Sequence, residues 1–140
     1  MITLDKIFEN FEVLDSWESR FKYIVELGRA LPDFPEDQKI EENRIKGCVS
    51  RAWLVKNESI DNQMFFLADS EAAIVKGLIK IVMVIYQDLS PLEILKKDLE
   101  PIFAKLELLE HLSPNRANGF QSLIQNIKKI ALVELSQTLK

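Results

Sequence analysis

Gly47-Cys48-Val49-Ser50-Arg51-Ala52-Trp53-Leu54-Val55-Lys56 is the stretch that decides the fold. Val49, Arg51, Trp53 and Val55 alternate with Ser50, Ala52 and Leu54. With β-branched and aromatic members, that period of two predicts a strand beginning just after Cys48. Asn57 to Gln63 is turn-like, and Met64 to Ala68 predicts a second strand. The connection is too short for a crossover, so the pair must be antiparallel. Arg44 to Lys46 can add a short third strand, which would put Cys48 in the loop between two strands.

Outward from this core the period changes to that of helices. Leu4, Ile7, Phe8, Phe11 and Leu14 fall on one helical face, with Thr3 as N-cap. A second helix is expected from Asp15, with Glu18 completing a capping box, the stripe Trp17, Phe21, Ile24 and Val25, and Gly28 near its end. Leu31 to Pro35 holds two prolines and an aspartate and is a connector; Glu36 to Asn43 has no clear period. After the strands, Ser70 is the expected N-cap of a helix running to about Gln87, nearly all apolar apart from Lys76 and Lys80, and therefore central and mostly buried. Ser90-Pro91-Leu92-Glu93 is a capping box with proline at the first helical position. Pro101 opens another short helix, and Ser113-Pro114 starts the last one, with the stripe Phe120, Leu123, Ile124, Ile127, Ile130, Ala131 and Leu135. The expected class is α+β: a short antiparallel sheet of about three strands packed by several helices, all in one domain spanning residues 1–140.

Composition excludes several function classes. With 47% apolar and 29% charged residues the chain has the balance of a globular domain. A formal net charge of −4 argues against nucleic acid as a partner, since that needs a basic surface. The longest unbroken apolar run, Ile81 to Tyr86, is far too short to span a bilayer, so no membrane partner is expected. The N-terminal residues carry no basic region followed by an apolar one, and the chain holds a single thiol; both suit a reducing cytoplasm.

Cys48 is the only cysteine, so it can neither close an internal disulfide nor hold a metal alone. Arg44, Lys46 and Arg51 lie within four residues of it, and the segment from Lys39 to Lys56 carries a formal charge of +3 against the global negative sign. A positive field favours a thiolate. Gly47 permits a sharp backbone turn just before it. A lone cysteine also packs as a small hydrophobe, and from these residues alone both readings stay open. Arg116 falls in the first turn of the last helix, where the macrodipole disfavours a cation, and Gly119 weakens that helix three residues on. Two broken local rules suggest a site or a close backbone approach, against the alternative of a surface arginine beside a packing glycine. His111 is the only histidine, and nothing in the sequence brings it near Cys48. Asp69 reads most simply as part of the cap region of the central helix, and Trp53 as a core strand residue. No phosphate loop, HExxH or CxxC occurs.

The order and spacing of four blocks resemble the SufE/CsdE family of cysteine desulfuration proteins across nearly the whole chain. They are Trp17-x-x-Arg20-Phe21 with Glu26-Leu27-Gly28 and Leu31-Pro32; Gly47-Cys48-x-Ser50-x-x-Trp53; Asp69-Ser70 with Ala73-Ile74-Val75-Lys76-Gly77-Leu78; and Leu112-Ser113-Pro114-x-Arg116-x-x-Gly119. Ser50 fits the SufE branch better than the CsdE branch.

The resemblance implies a fold like that of the IscU-type iron–sulfur scaffolds. It implies that Cys48 accepts sulfane sulfur from the persulfide of a cysteine desulfurase of the SufS or CsdA type, and passes it to an iron–sulfur cluster assembly complex. It implicates Arg116 at that site and places Asp69 near the cysteine loop, with Gly47, Ser50 and Arg51 as loop neighbours. The pyridoxal phosphate belongs to the desulfurase, so no cofactor or metal is expected on this chain. It would be a sulfurtransferase-like carrier and activator; whether it counts as an enzyme, and whether it forms a homodimer, the sequence leaves open. On this reading Lys46, Arg51 and Arg116 favour the thiolate, and a persulfide needs shelter. The loop tip is then expected to hide Cys48 and to swing out on docking, with Gly47 as one hinge. The competing classes are a stand-alone thiol redox protein, which would need an external resolving thiol, and a non-catalytic adaptor in which Cys48 only packs.

Overall fold

The helix Ala73–Tyr86 (α3) is the axle of the molecule. Ile81 and Val82 are fully buried, and most of its last ten residues are buried with them, because only Lys76 and Lys80 interrupt the apolar sequence. Tyr86 acts as a packing residue. Its hydroxyl has no partner among the described residues, and burial pushes its pKa up to about 12, so it stays neutral. The computed structural model describes residues 2–47 and 50–138 of the chain.

Five further α-helices occur among the described residues: Leu4–Val13 (α1), Trp17–Gly28 (α2), Pro91–Lys96 (α4), Glu100–Leu106 (α5) and Pro114–Thr138 (α6). Ala52–Lys56 (β1) and Phe66–Ser70 (β2) form a two-stranded antiparallel sheet, with Ala52 opposite Ser70 and Lys56 opposite Phe66. The α+β class is thus as the sequence predicts. No helix among the described residues is long and apolar enough to cross a membrane.

Two glycines let α2 and α3 cross in backbone contact. A Cβ on Gly28 would lie 2.7 Å from the Gly77 amide nitrogen, and a Cβ on Gly77 would fall onto the Ile24 carbonyl. Arg20 secures the preceding corner: its Nε donates to the carbonyls of Phe11 at 3.1 Å and Leu14 at 3.0 Å, which α1 leaves unpaired at its end. The guanidinium also lies 5.1 Å from the centre of the Trp17 ring.

Local chemistry explains most element ends and corrects others. Thr3 Oγ1 accepts from the Lys6 amide, and the Ser90 capping box is complete in both directions. The second helix is capped by Ser16, not Asp15: Ser16 Oγ accepts from the Ser19 amide at 3.1 Å. Asp61 and Asn62 both have positive φ (51° and 63°) between the bridged residues Ile60 and Gln63, which fits a two-residue type I′ turn. The second strand starts at Phe66 and not at Met64, because the Met64 amide is given to the Leu89 carbonyl at 2.9 Å.

The third strand amounts to one bridge, Arg44 against Trp53, continued only by the Ile45 amide donating to the Ala52 carbonyl at 2.8 Å. Ser70 does not cap α3. It ends β2, donates its hydroxyl to the Arg51 carbonyl at 2.8 Å and accepts from the Ala72 amide at 3.2 Å, so it locks the strand pair where the chain leaves the cysteine segment.

Gly77→Ala should destabilise the fold by about 1–3 kcal/mol or more, because the added methyl has only backbone to push against. Urea unfolding measures this; an unchanged midpoint would show that the two helices can separate without cost.

Candidate functional site

A cavity of about 260 Å³ opens between α6, α3 and the start of β1. Its floor is apolar, built by Ile45, Leu78, Ile79, Phe120 and Leu123. Ser50, Ser113, Asn115 and Arg116 supply the polar groups of its lining. The Ser113 hydroxyl accepts from the Arg116 amide at 3.3 Å, which fixes the first turn of α6 and with it the root of the arginine side chain.

Gly47 meets the same helix further along. Its φ is +89°, a region that L residues rarely adopt, and a Cβ there would lie 2.6 Å from Ser122 Oγ. Gly47, on one side of the pair 48–49, therefore stands at α6, and Ser50, on the other side, lines the cavity that α6 helps to wall. Cys48 and Val49 lie outside the described residues, and so does the expectation that the tip shelters the thiol and swings out.

The cations near this segment are not equivalent. Lys46 Nζ is 2.8 Å from Glu41 Oε1, and that hydrogen bond holds the Glu41 carboxyl below its usual range. Arg44 is 3.7 Å from the same carboxylate, and Arg51 is paired with Glu71. Arg116, by contrast, has no carboxylate within ion-pair distance among the described residues. The sequence expectation of three cations acting together narrows to one whose charge is unmatched.

Asp69 does not belong to a helix cap. It lies in β2 opposite Trp53, with its carboxylate 3.3 Å from Lys39 Nζ and 3.6 Å from Lys76 Nζ. Lys39 also bonds Glu36 at 3.0 Å and stands 5.4 Å from the centre of the buried Trp53 ring. The hydrogen bond to Glu36, opposed by burial and reinforced by Asp69, raises the Lys39 pKa. Asp69 thus ties the stretch from Glu36 to Asn43, the sheet and α3 together, and does not line the cavity. His111 is stacked on Trp17, with ring centres 3.8 Å apart, and its Nδ1–H donates to the Glu107 carbonyl at 2.8 Å. Both contacts are with the α1–α2 and α5 end of the molecule. Sequence reasoning missed Asn115, whose only signal was its place beside Arg116, and counted Lys39 only as one cation of the positive segment from Lys39 to Lys56.

The matches to known proteins now decide the lineage. A family model named SufE and described as an Fe-S metabolism associated domain matches residues 5–131. The chain belongs to the SufE family. An uncharacterized SufE-like protein of Rhizobium meliloti is 42% identical over 134 residues, covering 94% of this chain and 96% of that protein. An uncharacterized SufE-like protein of Rhizobium etli is 42% identical over 136 residues, covering 95% and 92%. The solution structure of a hypothetical protein from Thermus thermophilus superimposes with a TM-score of 0.75 at 18% identity, covering 97% of this chain and 99% of that one, and so shares the fold. Membership of the SufE family associates the chain with iron–sulfur metabolism.

Asp69→Asn should cost about 1 kcal/mol near neutral pH, since it leaves Lys39 and Lys76 facing each other without the carboxylate, and the loss should shrink at high salt. Because the Lys39 pKa is raised in the folded chain, its share of the stability is fully present at neutral pH and is lost only as pH rises through the folded value. Urea unfolding at low and high salt checks this; equal loss at both would assign Asp69 a packing role instead.

Proposed function

We propose that this SufE-family chain is a sulfur carrier that takes a persulfide sulfur onto Cys48, stimulates the desulfurase that supplies it, and hands the sulfur on for iron–sulfur cluster assembly. The observation that carries the reading is the placement of Gly47, Ser50 and Arg116 around one helix. Gly47 stands at α6, Ser50 lines the cavity that α6 helps to wall, and the nearby cation without a carboxylate among the described residues sits at the start of that helix.

The step is an exchange at sulfur. The Cys48 thiolate attacks the outer sulfur of the partner's cysteine persulfide. A new S–S bond forms on Cys48, the partner's S–S bond breaks, and the partner's cysteine leaves as thiolate. One sulfane sulfur changes owner, and no external oxidant or reductant is consumed. The rate depends on the thiolate fraction of Cys48, its nucleophilicity and its access. An unmatched guanidinium would favour the thiolate before the step and the persulfide anion after it, whereas Lys46 and Arg51 are already committed to Glu41 and Glu71.

Pyridoxal phosphate, which generates the persulfide, belongs to the desulfurase, a protein of the SufS or CsdA type. The recipient is a cluster-assembly complex; a single unpaired thiol suits the reducing cytoplasm, where the persulfide formed on it would need shelter from other thiols.

Mass spectrometry after incubation with a cysteine desulfurase and free cysteine should find one added sulfur on the Cys48 peptide. Cys48→Ser should abolish both the added sulfur and the stimulation of the desulfurase. Arg116→Ala should slow loading with its melting temperature nearly unchanged; sulfur found on the desulfurase alone would remove the carrier role.

A further inference from the structure

The cavity beside Arg116 has a composition that selects a ligand of its own. Its floor is aliphatic and aromatic, its polar lining comprises two hydroxyls, one amide and one guanidinium, and no carboxylate faces it among the described residues. The cations Lys39, Arg44, Lys46, Arg51 and Lys76 each have an acidic partner, and Arg116 has none among the described residues. An apolar volume with one unmatched positive charge in its lining calls for an apolar body that carries one negative charge.

We propose that this cavity binds a small amphiphilic monocarboxylate, with its carboxylate on the Arg116 guanidinium and its aliphatic chain on Leu78, Ile79, Phe120 and Leu123. A planar carboxylate fits the fork of a guanidinium through two parallel hydrogen bonds. A dianion such as phosphate would keep an unmatched charge beside an apolar floor, and an amine would meet a like charge. A neutral alcohol would gain the floor and forgo the guanidinium. Ser50 and Asn115 offer further hydrogen bonds at the same opening. The binding needs no sulfur chemistry and no desulfurase, so it stands or falls separately from the carrier reading.

The test is titration of the isotopically labelled full chain with hexanoate, followed by amide chemical shifts, with hexanol and hexylamine as matched probes. Hexanoate should saturate, move Ser50, Ala52 and the 115–120 amides, and bind at least about tenfold more tightly than hexanol, the scale of one charge-assisted hydrogen bond. Hexylamine should bind no better than hexanol. Arg116→Ala should bring hexanoate down to the hexanol level, and Val75→Phe, which fills the cavity from α3, should abolish saturable binding of both. Equal affinity for hexanoate and hexanol would overturn the proposal. So would unchanged hexanoate binding by Arg116→Ala, or shifts centred on the exposed Val13, Leu132 or Val133.

Discussion

Gly47 has a φ of +89° and lies so close to α6 that a single methyl group would press on Ser122. That close approach sets where the backbone stands at Gly47, on one side of the pair 48–49. The other end is fixed as firmly, because the Arg51 carbonyl accepts both the Ser70 hydroxyl at 2.8 Å and the Glu71 amide at 3.1 Å. Gly47 is thus anchored at a long helix and Arg51 at the end of a hairpin. The two supports are held in place by α3, whose close crossing with α2 depends on Gly28 and Gly77. The anchoring of Gly47 and Arg51 therefore rests on packing elsewhere in the molecule.

The electrostatics follow from the same scaffold. A formal excess of positive charge along Lys39 to Lys56 suggests a broad cationic field, but folding brings acidic groups onto it. Glu41 takes Lys46 and Arg44, Glu71 takes Arg51, and Asp69 takes Lys39 and Lys76. Exposed pairs of this kind contribute little to stability. They matter here because they remove most of the local charge from competition and leave Arg116 as the unmatched cation beside an apolar cavity.

Much of this was legible in the sequence wherever the physics is local. Thr3 and the Ser90 box cap helices through their own side chains, the alternating run ending in Val55 and Lys56 marks a strand, and Ser113-Pro114 opens α6. Gly47, Ser50 and Arg116 stood out by composition and by resemblance to the family, and the fold brings them to one helix. The failures are tertiary. Ser70 resembles an N-cap, but its hydroxyl is claimed by a carbonyl nineteen residues away. Met64 resembles strand, but its amide is drawn to Leu89. Arg44 to Lys46 gives one bridge because the backbone turns at Lys46 and Gly47 before a ladder can form. Asp69 looked like a cap because its partners, Lys39 and Lys76, come from distant or differently oriented elements. The cavity could not be read at all, since it exists only where three elements meet.

The proposed carrier role depends on the backbone geometry at Gly47, the residue from which the chain enters the pair 48–49. Its most direct measurement is the rate of sulfur loading onto Cys48 in Gly47→Ala, taken beside circular dichroism and the melting temperature. The account predicts a loading rate lower by about tenfold or more with helices and hairpin retained, because a small misplacement of a reacting group is costly. A rate equal to that of the unaltered chain would contradict it.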